Sequence, residues 1–85
     1  MSNDEQLSFL IDTLLRIRSK KEMNEFLLGI FTPQELQEIP NRLQIIKMLK
    51  KGISQHQIAK ELKVGIATVT RGSKELQKGR FYNIY

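Results

Sequence analysis

The sequence predicts an all-α fold: a small helical bundle that carries a helix-turn-helix and pairs with a second copy of itself. Three observations predict it. Apolar residues return at helical spacing through two successive segments, and no alternating apolar run calls for a strand. The stretch from Ser54 to Leu76 reads as two short helices around a tight turn. Finally, 85 residues make one domain with a modest core, and there is no cysteine and one histidine. Disulfides, thiolate metal sites and a metal site built by that histidine alone are thereby excluded. Oligomerisation is the remaining staple for so short a chain, so a homodimer is expected.

The first helix lies in the spacing of Leu7, Leu10, Ile11, Leu14 and Leu15, which fall at i, i+3, i+4, i+7 and i+8. Met23, Phe26, Leu27, Ile30 and Phe31 repeat that spacing in the second, beyond the polar stretch Arg18–Lys21. Two such stripes need a large cover, either from the chain's own core or from a partner subunit. Thr32-Pro33-Gln34-Glu35 starts a third helix: Thr32 caps, Pro33 suits the first helical position, and Glu35 closes a capping box. Pro40 is expected to break or restart it, because the residue before a proline is pushed out of helical geometry. A longer helix then runs from about Asn41 to Lys51, with Leu43, Ile46 and Leu49 as its inner face and Gly52 as its end. There is no internal repeat, low-complexity segment or linker. The expected organisation is a single domain over 1–85, with a helical dimerisation core at 1–51, the helix-turn-helix at 54–77 and a short aromatic tail at 78–85.

Within the helix-turn-helix, Ser54 and Gln57 form a second capping-box pattern. Ile58 and Leu62 point inward, Ala59 is small where two helices cross closely, Val64 plugs the turn and Val69 anchors the second helix. An ordinary helical hairpin is the alternative. Lys63 stands in the turn where many such motifs place glycine; a positive φ there costs a lysine roughly 1 kcal/mol.

Charge is distributed unevenly. Residues 1–38 carry four Lys/Arg against seven Asp/Glu, a net of −3; residues 39–85 carry ten against two, a net of +8. A basic half that coincides with a helix-turn-helix points to nucleic acid, with binding that falls steeply as salt rises. The second motif helix would enter the major groove by its N-terminus, presenting Gly65, Ile66, Ala67 and Thr68. None of these offers the forked side chain that reads a purine edge, so direct readout is expected to be weak. Backbone amides there suit phosphate or ordered water, and Ile66 or Ala67 suits a thymine methyl. Gln55 and His56 stand where they reach phosphate and a base edge, although a lone histidine is also an ordinary surface residue.

Other classes are disfavoured. An enzyme is not expected, because no cysteine nucleophile, phosphate-binding glycine loop or metal-ligand cluster is present. No apolar run approaches the roughly 20 residues that span a bilayer, and the polar start MSNDEQ does not read as a signal peptide. The expectation is a soluble, cytoplasmic protein without a membrane partner.

The run Gly65-Ile66-Ala67-Thr68-Val69-Thr70-Arg71-Gly72-Ser73 closely resembles the core motif of the Trp repressor family. Phe31-Thr32-Pro33, Asn41-Arg42 and Gly52-Ile53-Ser54-Gln55 agree with its upstream context, and the resemblance extends through about residues 23–77, with the Gly52–Ser54 connection one residue shorter. It implies an intertwined helical homodimer that binds double-stranded operator DNA when L-tryptophan is present as corepressor, with no metal or other cofactor. The Trp repressor is itself a reference case for this groove docking and for water-mediated base contacts.

Carried across by position, Arg42 and Arg71 match the arginines between which the family's indole ring lies, as stacking on guanidinium planes allows. Arg71 also matches the partner of the ligand carboxylate, and Thr32 the threonine that assists it. Carbonyls near Gly29 and Phe31 would accept from the ammonium group, and Gly72 matches a glycine beside the ligand. On the residues alone, a phosphate contact or an ion pair with Glu38 or Glu75 is the favoured role for Arg42 and Arg71. Lys60, adjacent to Ala59, is expected to replace a phosphate-binding lysine of the family, and Thr70 falls within the DNA-binding run. Three departures stand out. Glu75 replaces a serine near the ammonium, where it would strengthen that contact or repel the carboxylate and tie up Arg71. His56 replaces a base-contacting arginine. The sequence ends at Tyr85, before the family's last helix, with three aromatics in Gly79–Tyr85 expected to patch the dimer or lie exposed.

The leading reading is therefore a tryptophan-dependent, sequence-specific DNA-binding repressor. Two others remain: an effector-independent helix-turn-helix DNA binder in which Glu75 holds Arg71, and a protein–protein interaction module using the helical stripes and tail.

Overall fold

The computed structural model describes residues 1–84 as five helices: α1 (Asn3–Arg16), α2 (Lys20–Ile30), α3 (Pro33–Lys50), α4 (Gln55–Leu62) and α5 (Ile66–Gln77). No strand occurs among the described residues. The chain divides into two compact units, Met1–Leu36 and the part from Gln37 on.

In the first unit every helix start is capped by its own sequence. Ser2 Oγ accepts from the Glu5 amide at 3.2 Å, and Ser19 Oγ accepts from the Glu22 amide at 3.0 Å. Thr32 and Glu35 close the expected box from both sides: the Glu35 amide donates to Thr32 Oγ1 at 3.2 Å and the Thr32 amide to Glu35 Oε1 at 2.9 Å. Packing is sparse by contrast. Neither α1 nor α2 contains a buried residue. Of the expected stripes, Leu10, Leu14, Met23, Phe26, Leu27 and Phe31 are half-buried, while Leu7, Ile11, Leu15 and Ile30 are exposed, Leu15 to 76%.

The second unit holds the core. Ile45, Met48, Ile58 and Val69 are buried together, with Leu49, Ile53, Ala59, Leu62 and Val64 packed around them. Every inward position expected of the helix-turn-helix is in this cluster. The inner face of α3, however, differs from expectation. Ile45, Ile46 and Met48 are buried, Leu49 is half-buried, and Leu43 is 52% exposed. Ile45, Met48 and Leu49, spaced i, i+3, i+4, form the face that packs on α4 and α5; Leu43 lies on another.

Pro40 does not break the third helix, which runs from Pro33 to Lys50 with the proline inside it. A mid-helix proline forfeits one hydrogen bond and crowds the carbonyl four residues back, about 3 kcal/mol. Burying Ile45, Ile46 and Met48 contributes about 1.5–3 kcal/mol each, and the box at Thr32 fixes the other end. The bias before a proline is overruled by these terms.

Gly52 ends α3 with φ +82°, its amide donating to the Leu49 carbonyl at 3.0 Å while the Ile53 amide reaches Met48 at 3.2 Å. This pairing needs a left-handed residue at position 52 and folds Ile53 onto the core. Ser54 then caps α4, accepting from the Gln57 amide at 3.2 Å. The second capping box is only half formed, since the Gln57 side chain donates to Glu61 at 2.7 Å instead.

Candidate ligand cavity and nucleic-acid interface

The turn between α4 and α5 is made by Lys63, which takes the left-handed conformation (φ 56°, ψ 46°), and the Val64 amide closes on the Ala59 carbonyl at 3.1 Å. Two fully buried side chains, Ile58 and Val69, lock one helix to the other. A polar tie joins them as well: Thr70 Oγ1 donates to Gln55 Oε1 at 2.7 Å in partly buried surroundings. Gln55 and Thr70 thus hold the angle between the helices, and the Gln55 side-chain nitrogen keeps its capacity to donate. Gly65, which precedes α5 without a side-chain cap, and Ile66, Ala67 and Thr68 in its first turn are all exposed, as are His56 and Lys60 on α4.

Behind this surface lies a cavity of about 460 Å³, within the range of small-molecule sites. Its walls come from two helical stripes of identical spacing. Ile39, Arg42, Leu43 and Ile46 stand at i, i+3, i+4 and i+7 on α3; Thr68, Arg71, Gly72 and Glu75 do the same on α5. Ile45 and Phe81 complete the lining. Each stripe carries an arginine at its second position, and both arginines are exposed.

At Gly72 α5 approaches α3 closely. A Cβ there would stand 3.1 Å from Ile45 Cγ2 and 3.5 Å from Ile46 Cδ1. Any side chain would push on the core or project into the cavity.

Glu75 is bound away from Arg71. Its carboxylate accepts from Lys78 Nζ at 3.2 Å and from Arg80 Nε at 2.7 Å. Those hydrogen bonds, with the charges behind them, hold its carboxyl below the usual range. A second, smaller hollow is lined by Glu38, Asn41, Arg42, Val64, Gly65 and Thr68. Arg42 and Thr68 therefore stand between the cavity and the N-terminus of α5.

The cavity brings together Arg42, Arg71, Gly72 and Glu75. Gly29 in the last turn of α2, Phe31 at its C-cap and Thr32 before α3 belong to the first unit, where Thr32 is engaged in the capping box. Sequence reading places Thr68 only on the DNA side and misses Phe81 and the apolar wall. The two matched stripes are the signal that could have found them. Of the tail aromatics, Phe81 is half-buried in the cavity wall, Tyr82 is 80% exposed, and Tyr85 lies outside the described residues.

The fold is thus a helix-turn-helix, α4 and α5, with a cavity between α5 and the long helix α3. Comparison with known proteins makes the class specific. The family profile described as Trp repressor protein matches residues 5–82, and the chain belongs to that family, one of transcriptional regulators rather than enzymes. It is similar to the Trp operon repressor homolog of Vibrio vulnificus strain YJ016, 39% identical over 69 residues that cover 80% of this chain and 68% of that protein. The Vibrio campbellii homolog is 44% identical over 66 residues, covering 75% and 66%. That of Xylella fastidiosa strain M23 is 32% identical over 78 residues, covering 91% and 85%. No solved structure matches the chain. No helix among the described residues is long and apolar enough to cross a membrane.

Proposed function

We propose that the protein is a homodimeric, sequence-specific DNA-binding repressor whose corepressor is L-tryptophan, acting on operator DNA in the cytoplasm. The observation that carries this reading is the cavity with Arg42 and Arg71 on its two helical walls and apolar side chains between. A flat ring fits between two guanidinium planes, which attract its π face and leave their edges free for hydrogen bonds. Arg71 then meets the ligand carboxylate in the bidentate geometry only arginine supplies. Gly72 leaves the room this requires. Thr32, and the carbonyls near Gly29 and Phe31, enter the reading on the family resemblance alone.

Ligand and DNA are coupled through α5. Thr68 faces the cavity from the same turn that exposes Gly65, Ile66 and Ala67, so a bound ligand props the reading helix from behind. In a dimer the two heads would be fixed about 34 Å apart, one turn of duplex, a spacing for which the Trp repressor is itself a reference case. His56 and Lys60 contribute phosphate or base-edge contacts from α4, and Gln55 and Thr70 keep the two helices in register. The exposed parts of the α1 and α2 stripes, Leu7, Ile11, Leu15 and Ile30, are the surface that the second copy would bury. An effector-free mechanism requires Glu75 to occupy Arg71, and Glu75 is engaged by Lys78 and Arg80.

Calorimetric titration with L-tryptophan, with D-tryptophan and indole as controls, tests the reading. One site per subunit is expected, together with tighter operator binding in the presence of ligand and, reciprocally, tighter ligand binding on DNA. Arg71→Ala is expected to remove the response while far-UV circular dichroism stays unchanged. A variant that still responds normally would exclude Arg71 from the site.

A further inference from the structure

Immediately after α5 the chain turns back. Gly79 takes φ +80° and its amide closes on the Leu76 carbonyl at 3.0 Å. The segment beyond α5 is tied down at two places that share no residue. Lys50, the last residue of α3, donates from Nζ to the carbonyls of both Phe81 and Ile84. On the other side Lys78 and Arg80 grip Glu75 on α5. The Ile84 amide also bonds the Phe81 carbonyl at 3.0 Å, closing a turn around the aromatic residue. Between these anchors Phe81 turns into the cavity and is half-buried, whereas its neighbour Tyr82 is 80% exposed. Among the described residues, Phe81 is the only aromatic side chain that lines the cavity.

We infer that residues 78–84 form a strap closing the cavity and that Phe81 is a ligand-contacting residue selecting a flat aromatic side chain. The inference rests on the reading of the cavity as an amino-acid site and adds a wall to it. An aromatic ring offers edge or offset contact to a bound ring in addition to buried area. The same strap resolves the charge problem at Glu75. With Lys78 and Arg80 on that carboxylate, a carboxylate ligand meets Arg42 and Arg71 without an unpaired anion at the wall. Lys50 supplies the backbone hold, so ring position does not depend on the ion pairs alone.

The test uses the full chain, titrated with L-tryptophan as wild type, Phe81→Ala, Phe81→Leu and Lys50→Ala. Trypsin cleavage after Lys78 and Arg80 is followed in each with and without ligand. Phe81→Ala is expected to weaken binding by about tenfold, the scale of a lost ring contact with its buried area. Phe81→Leu, which keeps apolar bulk and guards against misfolding, is expected to fall between it and wild type. L-tryptophan is expected to slow cleavage of the wild-type strap, and Lys50→Ala to speed cleavage in the free protein. Wild-type affinity in both Phe81 variants, with no ligand effect on cleavage, would overturn the strap and leave the cavity reading standing. A wild-type protein that does not bind L-tryptophan would overturn both.

Discussion

The two units of the chain are both mainly helical and very unequally packed. From Gln37 on, Ile45, Ile58 and Val69 are 0–1% exposed and sit in one cluster. Up to Leu36 no helical residue is buried, and Phe9 and Leu15 are 65% and 76% exposed. The helices there are nonetheless well capped and strongly amphipathic. Capping and spacing therefore suffice to write a helix, but only a complementary apolar face stabilises it at this length in water. The second unit carries that face within itself. The first leaves its stripes only partly covered, as one half of the proposed dimer interface would.

The largest effect is expected in the second unit. Ile58→Ala removes a fully buried side chain between α3, α4 and α5, so urea and thermal melts should show a loss of about 2–5 kcal/mol. For a domain this small that approaches the whole stability. A loss below about 1 kcal/mol would mean the core is less closely packed than its burial indicates.

A smaller and different effect is expected from Leu15→Glu. Ile58 acts within one chain; Leu15 should act between chains. Burying a leucine contributes about 1.5–3 kcal/mol, and a charge in its place must also be desolvated. Sedimentation should therefore show a dissociation constant raised by about tenfold or more. Unchanged association would break the comparison, because the exposed stripe would then have no partner of this kind.

Much of this is legible in the sequence, and the misses share a cause. Thr32, Glu35 and Ser54 are readable as caps because a cap acts over three residues and local chemistry decides it; Ser2 and Ser19 cap by the same rule without standing out. The inward positions Ile58, Ala59, Leu62, Val64 and Val69 are legible because the motif fixes their offsets. That Arg42, Arg71, Gly72 and Glu75 gather at one cavity is expected from a family motif rather than from spacing. Pro40 misleads because its local penalty is overruled by burial further along α3, a tertiary quantity. Leu43 misleads because one helix has two apolar faces here, one for the core and one for the cavity. Phe81 is brought to the cavity by Lys50 and Glu75, and no periodicity announces a contact made across 31 residues.

The smallest effect lies at Lys63, inside the well-packed unit. Its φ of 56° is the one positive value at a non-glycine residue among those described. A left-handed lysine costs roughly 1–2 kcal/mol, because its Cβ crowds the following carbonyl. Glycine removes that crowding but leaves the unfolded chain more freedom, which opposes the gain by roughly 0.5–1 kcal/mol. The two terms nearly cancel, with strain slightly ahead. Lys63→Gly should therefore stabilise the protein by about 0.5 kcal/mol in denaturant titrations, at an exposed position that touches neither the cavity nor the core cluster. Its charge also matters, since lysine belongs to the basic half. The proposed operator binding should consequently weaken a little and depend less steeply on salt, by at most about one counterion. A variant that gained stability with no change in salt dependence would place Lys63 outside the proposed DNA-facing surface. One that lost stability would show that the turn tolerates lysine without strain.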